Sequence, residues 1–195
     1  MPYVKTRAST GLVLLVCGHA SAGIVPSMLA GATPLGFESS PLDAPPPLLS
    51  FPDGTTASIT AIQVLESVVL ESTDGHGAVP SEGSRFWKLR GGTTTLAFST
   101  PISEFGFWYS DLEHATLRLS FGPGGQVELT DHNPGSPTFF GFRSDAGPFS
   151  TVGIEWLNAN GDGIGLDGVY AVPMPAPPVL AALGLAALSI RRRGR

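Results

Sequence analysis

The 195-residue chain has one cysteine, Cys17, and four histidines. A single thiol near the N-terminus excludes an internal disulfide framework and thiol chemistry in the rest of the chain. No serine occupies a Gly-x-Ser-x-Gly elbow and no His-Glu-x-x-His run occurs, so two common hydrolase signatures are missing. Positive charge is thin in the interior. Over residues 23–172 five basic side chains, Arg85, Lys88, Arg90, Arg118 and Arg143, stand against all 16 acidic ones, a formal balance of -11. A surface of that sign repels phosphate, which argues against a nucleic-acid partner, and it suits cations.

Apolar runs mark the two ends. Near the start, Lys5 and Arg7 precede the apolar stretch 12–17 and the small-x-small site Ala20-Ser21-Ala22, the layout of a secretory signal peptide over residues 1–22. At the other end, Val172-Pro173-Met174-Pro175-Ala176 leads through Pro177 and Pro178 into the apolar run 179–190, and Arg191, Arg192, Arg193 and Arg195 follow. As a helix that run spans about 18 Å against a hydrocarbon core of about 30 Å, a short membrane segment whose basic end stays cytoplasmic. The order of Pro-containing signature, short transmembrane helix and arginine tail resembles the PEP-CTERM sorting signals of exported bacterial proteins, with Met174 between the prolines where Glu is commonest. The resemblance implies inner-membrane passage, processing near Pro173 to Ala176 by an exosortase-like enzyme, and a final place in the envelope, on the surface or in the extracellular matrix.

Between these ends lies a chain of roughly 150 residues, long enough for one core without staples. Residues 23–34 show no clean period and read as a leader. A short strand is expected at 35–38, then a Pro-rich covering loop over 39–53 that includes Pro45-Pro46-Pro47, then a strand at 55–59 after the turn Pro52-Asp53-Gly54. Residues 61–72 fit a helix or a strand, and Val64, Val68 and Val69 favour the strand. Eight further strands are expected at 85–89, 93–99, 102–109, 115–120, 126–130, 138–143, 151–157 and 166–172, separated by Gly, Asn, Asp and Pro turns. Leu117 and Leu119 alternate with Thr116, Arg118 and Ser120, and Phe105, Phe107 and Tyr109 share the face opposite Trp108. The pattern predicts an all-β, antiparallel β-sandwich for 35–172.

Gly36-Phe37-Glu38, Pro101-Ile102-Ser103-Glu104-Phe105-Gly106-Phe107, Phe139-Phe140-Gly141-Phe142 and Gly165-Leu166-Asp167-Gly168-Val169 resemble, in that order, the jelly-roll domains of many PEP-CTERM proteins and of related carbohydrate-binding modules. The resemblance implies a structural calcium shared by Glu38 and Asp167, with Asp162 or Asp111 as additional ligands; ordinary turn capping is the plain alternative for all four. Asn158, Asn160 and Asp162 alternate like the first half of an EF-hand loop, but Val169 falls where the bidentate Glu belongs. Trp87, Trp108 and Trp156 are candidates to stack on sugar rings, against a role in the core. Glu104 and Glu155 are the pair a glycoside hydrolase would need. The leading expectation is a noncatalytic exported envelope or matrix protein; a carbohydrate-binding module, with polysaccharide as partner, is the alternative, and a glycan hydrolase comes last.

Overall fold

A computed structural model describes residues 24–29, 32–46, 48–112, 116–122, 125–130, 135–157 and 163–174. The signal-peptide reading (1–22), Asp162, and Pro175, Ala176 and the arginines of the sorting tail lie outside the described residues. Among the described residues no helix is long and apolar enough to cross a membrane.

Among the described residues eleven strands make the fold: β1 (Ile24–Pro26), β2 (Leu48–Ser50), β3 (Thr56–Ile62), β4 (Glu66–Glu71), β5 (Arg85–Arg90), β6 (Thr93–Ser110), β7 (Thr116–Phe121), β8 (Gly125–Leu129), β9 (Thr138–Ser144), β10 (Phe149–Leu157) and β11 (Ile164–Pro173). Every pairing between them is antiparallel. The expected strands at 93–99 and 102–109 are one strand of 18 residues. Its first half pairs with β3 and β10 and its second half with β9 and β11. The first layer therefore runs β4, β5, β11, second half of β6, β9, β1; the second runs β2, β3, first half of β6, β10, β7, β8.

β6 passes between layers around Pro101, which has no N–H to give a ladder. The ladder is irregular there. Val172 pairs with Glu104 but Pro173 with Ile102, so Ser103 is the extra residue of a bulge. Consequently the inward set changes parity, from Leu96, Phe98 and Ile102 before the bulge to Phe105, Phe107 and Tyr109 after it.

The core fills the space between the layers. Phe142 of β9 meets Phe121 of β7 with ring centroids 3.6 Å apart and stacks on Phe149 of β10 at 5.6 Å. Phe98 and Phe105, on either side of the β6 bend, pack edge to face. Each such ring, withdrawn from water, contributes roughly 2 to 3 kcal/mol.

In the first half one expectation changes and another resolves as the extended backbone it favoured. The strand expected at 35–38 is a single bridge, Leu35 to Val169, because the Pro-rich stretch that follows leaves no partner for a longer ladder. Residues 61–72 hold no helix: Ile62 ends β3, Gln63 turns with φ 56°, and β4 begins at Glu66. The valines there decide for extended backbone.

Candidate functional site

Of the acidic residues expected to hold calcium, Glu38, Asp111 and Asp167 lie against one loop, residues 72–84 between β4 and β5, on the outer face of the first layer. Asp167 Oδ2 accepts from Ser81 N–H at 2.9 Å, Ser81 Oγ at 2.8 Å and Glu82 N–H at 3.1 Å, and its Oδ1 accepts from Gly168 N–H at 2.7 Å. Glu38 accepts from Ser84 N–H and Arg85 N–H at 2.7 and 2.9 Å, and from Ser84 Oγ at 3.0 Å. Those backbone donors, Ser84 first and then Arg85, hold the Glu38 carboxyl below its usual value. Asp111, buried with φ 69°, lies against Gly77. A cation at Glu38 or Asp167 would share each carboxylate with N–H and O–H donors already in place. Among the described residues no group of three or more His, Cys, Asp or Glu side chains gathers as a metal site.

The sequence reading missed the strongest fastening. Asp74 Oδ1 accepts from the N–H groups of His76, Gly77 and Ala78, and Asp74 Oδ2 meets Lys88 Nζ at 2.9 Å, with Glu66 on the other side of the ammonium at 3.4 Å. Burial pushes the Asp74 carboxyl up, but the His76 N–H and Lys88 outweigh it, and the group lies below its usual value. Burial likewise pushes Lys88 down, and Asp74 and Glu66 together hold it above. Thr73-Asp74-Gly75 is an Asx-turn signature, the one clue in the sequence. Pinned in this way, the loop buries its own Ala78 completely.

The three tryptophans separate. Trp87 is fully enclosed against Phe37, with Nε1 donating to Ser67 Oγ at 3.0 Å, and Trp156 points into the core at 8% exposure. Neither offers an open ring face, which corrects their candidacy as sugar platforms; β5 and β10 turn those positions between the layers. Trp108 alone faces outward and stays half-buried.

Trp108 is not isolated there. On the outer face of the first layer it pairs with Phe139 of β9, ring centroids 5.4 Å apart, and Phe139 meets Tyr170 of β11 at 5.5 Å and 87°. These three half-buried rings, from adjacent strands, form the floor of a trough. One wall is a strap that crosses the strands, made of residues 27–29 and 32–35: Ser27 N–H donates to Gly141 O at 2.9 Å, Ser27 Oγ donates to Glu104, and Leu35 and Val169 exchange backbone bonds. Leu29, 3% exposed and with φ 49°, covers the facing glycines Gly106 and Gly141. A Cβ on Gly106 would come within 2.5 Å of Leu29 Cδ1, so the strap fits only because β6 and β9 carry no side chain at that crossing. The other wall is the 72–84 loop, held to β6 where Val79 N–H and O bond Ser110 Oγ at 2.9 and 2.8 Å.

Glu104 and Glu155 do not form a pair. Glu104 faces outward on the first layer beneath Ser27, whereas Glu155 faces outward on the second, 3.2 Å from Arg118. The body of the sandwich separates them, so no cleft holds both. Of the sorting signature, Val172 and Pro173 belong to β11, and Met174 N–H donates to Pro101 O at 3.1 Å. A cavity of about 240 Å³ lies beside them, between Thr33, Asp53 and Pro173.

Layers, antiparallel pairing and the outward aromatic floor define an all-β sandwich of jelly-roll-like architecture with one furnished outer face. No protein-family model matches the chain, and no curated protein matches it. Among solved structures, it is similar to TmCBM61 in complex with β-1,4-galactotriose, with TM-score 0.43 and 14% identity over 72% of this chain and 95% of that one. It is also similar to the enzymatically active domain of tailspike protein 4 of bacteriophage CBA120, with TM-score 0.39 and 14% identity over 62% of this chain and 19% of that one.

Proposed function

We propose that this chain is a noncatalytic glycan-binding β-sandwich, exported from the cell that makes it. The trough floored by Trp108, Phe139 and Tyr170 carries the reading: among the described residues, inward aromatics are spent on the core, and these three are gathered on an outer face where a sugar ring can lie on them. Sites of this kind combine flat apolar rings with a few placed polar groups, and here Ser81 and the Tyr170 hydroxyl supply polar edges.

Export and sorting rest on the two ends of the sequence and are tested separately, by the mass of the mature native product. A product lacking residues 1–22 and trimmed near Ala176 supports both; a full-length cytosolic product overturns both.

For the binding reading the experiment is a glycan array probed with the mature protein and its Trp108→Ala variant. Retention of printed polysaccharides by the native protein, and a loss of roughly five- to twelvefold in the variant at unchanged melting temperature, supports the site, since one stacking ring is worth about 1 to 1.5 kcal/mol. Equal retention by both proteins removes the trough from the function.

A further inference from the structure

We infer that the trough is blind at its β11 end and that it takes the end of a glycan chain rather than an internal stretch; this rests on the glycan-binding reading above. The observation is the meeting of three elements over Gly168. At that residue, with φ 48°, a single added Cβ would lie 2.9 Å from Trp108 Cδ1, 3.6 Å from Ser81 Oγ and 3.7 Å from Pro34 Cβ. Sheet, loop and strap thus come within one methyl group of each other.

Each of the three is fixed in place. Ser81 is held by Asp167 through its N–H and its hydroxyl. Pro34 has a ring-locked backbone and precedes Leu35, whose N–H and carbonyl both bond Val169, at 2.7 and 2.9 Å. Trp108 is braced by Phe139. Ligand lying on the floor along Phe139 and Trp108 therefore runs into Pro34 and Ser81 and stops. An internal segment of polysaccharide needs room to continue past both ends of its site; a terminal sugar does not. Because a stop made of three packed groups does not yield to a longer ligand, affinity counted per chain end is independent of chain length.

The test uses the mature protein and matched sets of linear glycans, each printed as trisaccharide, hexasaccharide and intact polysaccharide at equal molar concentration of chains. Equal affinity across the three lengths, lost in Trp108→Ala, is the expected result. Affinity per chain that climbs in proportion to length overturns the blind end while leaving glycan binding intact. Absence of any retained glycan overturns the binding reading itself, and the blind end with it. Pro34→Gly removes one side of the stop, and Ser81→Ala removes another while keeping the N–H bond to Asp167. With melting temperature unchanged, either variant converts length-independent affinity into affinity that rises with length. Unchanged length-independence in both would mean that these two residues do not set the stop.

Discussion

The two outer faces of the sandwich are built from opposite materials. On the first layer, Phe86, Gly106, Trp108, Phe139 and Gly141 point outward, and the strap and the 72–84 loop lie over most of them. On the second, the outward rows are mostly polar, Ser58, Thr60, Thr93, Thr95, Ser120 and Gln126, with Leu48 and Ile62 the exposed apolar exceptions, and Arg118 is joined across strands to Glu128 at 2.9 Å and Glu155 at 3.2 Å. Hydroxyls and ion pairs content themselves with water and need no cover. Apolar side chains and bare glycines require one, and the part of that face left half-open is where the candidate site lies.

This contrast is sharpest at the glycines. Gly106→Ala drives a Cβ to 2.7 Å from the Phe140 carbonyl as well as onto Leu29, and backbone cannot swing away, so a loss of about 3 kcal/mol is expected. Denaturant midpoints measure it, and the strap should become the first site of proteolysis. Gly153→Ala, on the polar face, meets only the movable hydroxyl of Ser120 and should change stability by less than about 1 kcal/mol. Similar losses at both positions would dissolve the distinction between the faces.

Ion pairs separate the faces next. Asp74→Asn leaves the enclosed Lys88 ammonium with Glu66 alone and should cost about 2 to 3 kcal/mol. Arg118→Ala, in water, should leave the urea midpoint almost unchanged, and 1 M salt should remove what change there is. The sign of the acid response follows from the lowered carboxyls of Asp74 and Glu38. Their stabilisation is complete above the ordinary carboxylate value of about 4 and is lost as pH falls through the lower folded values. The raised Lys88 contributes stability in full below the ordinary lysine value and loses it as pH rises through the higher folded one. Urea midpoints at pH 7 and pH 3 should differ less in an Asp74→Asn, Glu38→Gln double variant than in the native protein. The smallest effect is expected from calcium. With Glu38 and Asp167 satisfied by protein donors, millimolar calcium should leave the melting temperature unchanged, and an upward shift would establish a cation site selective for the folded chain.

The same contrast explains what could be seen in the sequence. From Arg85 onward the strands declare themselves, because alternation such as Leu117, Leu119 against Arg118, Ser120 needs only a core on one side and water on the other. Where a third layer covers the sheet, alternation fails. Phe86 and Trp87 are adjacent and both fully buried, so alternation alone does not tell which face of that strand meets the core. Residues 27–35 carry no period of their own; their fit is written in Gly106 and Gly141, far away in the chain. Glu38, Asp111 and Asp167 lie against one loop, yet acidic side chains attract amides and cations alike, and only geometry reveals which donors surround them. For Trp108 the opposite-face assignment came from counting along β6, whereas its neighbours Phe139 and Tyr170 needed the strand order.

Because β6 is a member of both layers, neither can come apart while the other stays whole. The backbone amides of Leu96 and Phe107, though they lie in different walls of the molecule, should exchange with solvent hydrogen at the same free energy, that of global unfolding. A body stitched by one thread through both its halves has no internal seam to flex along.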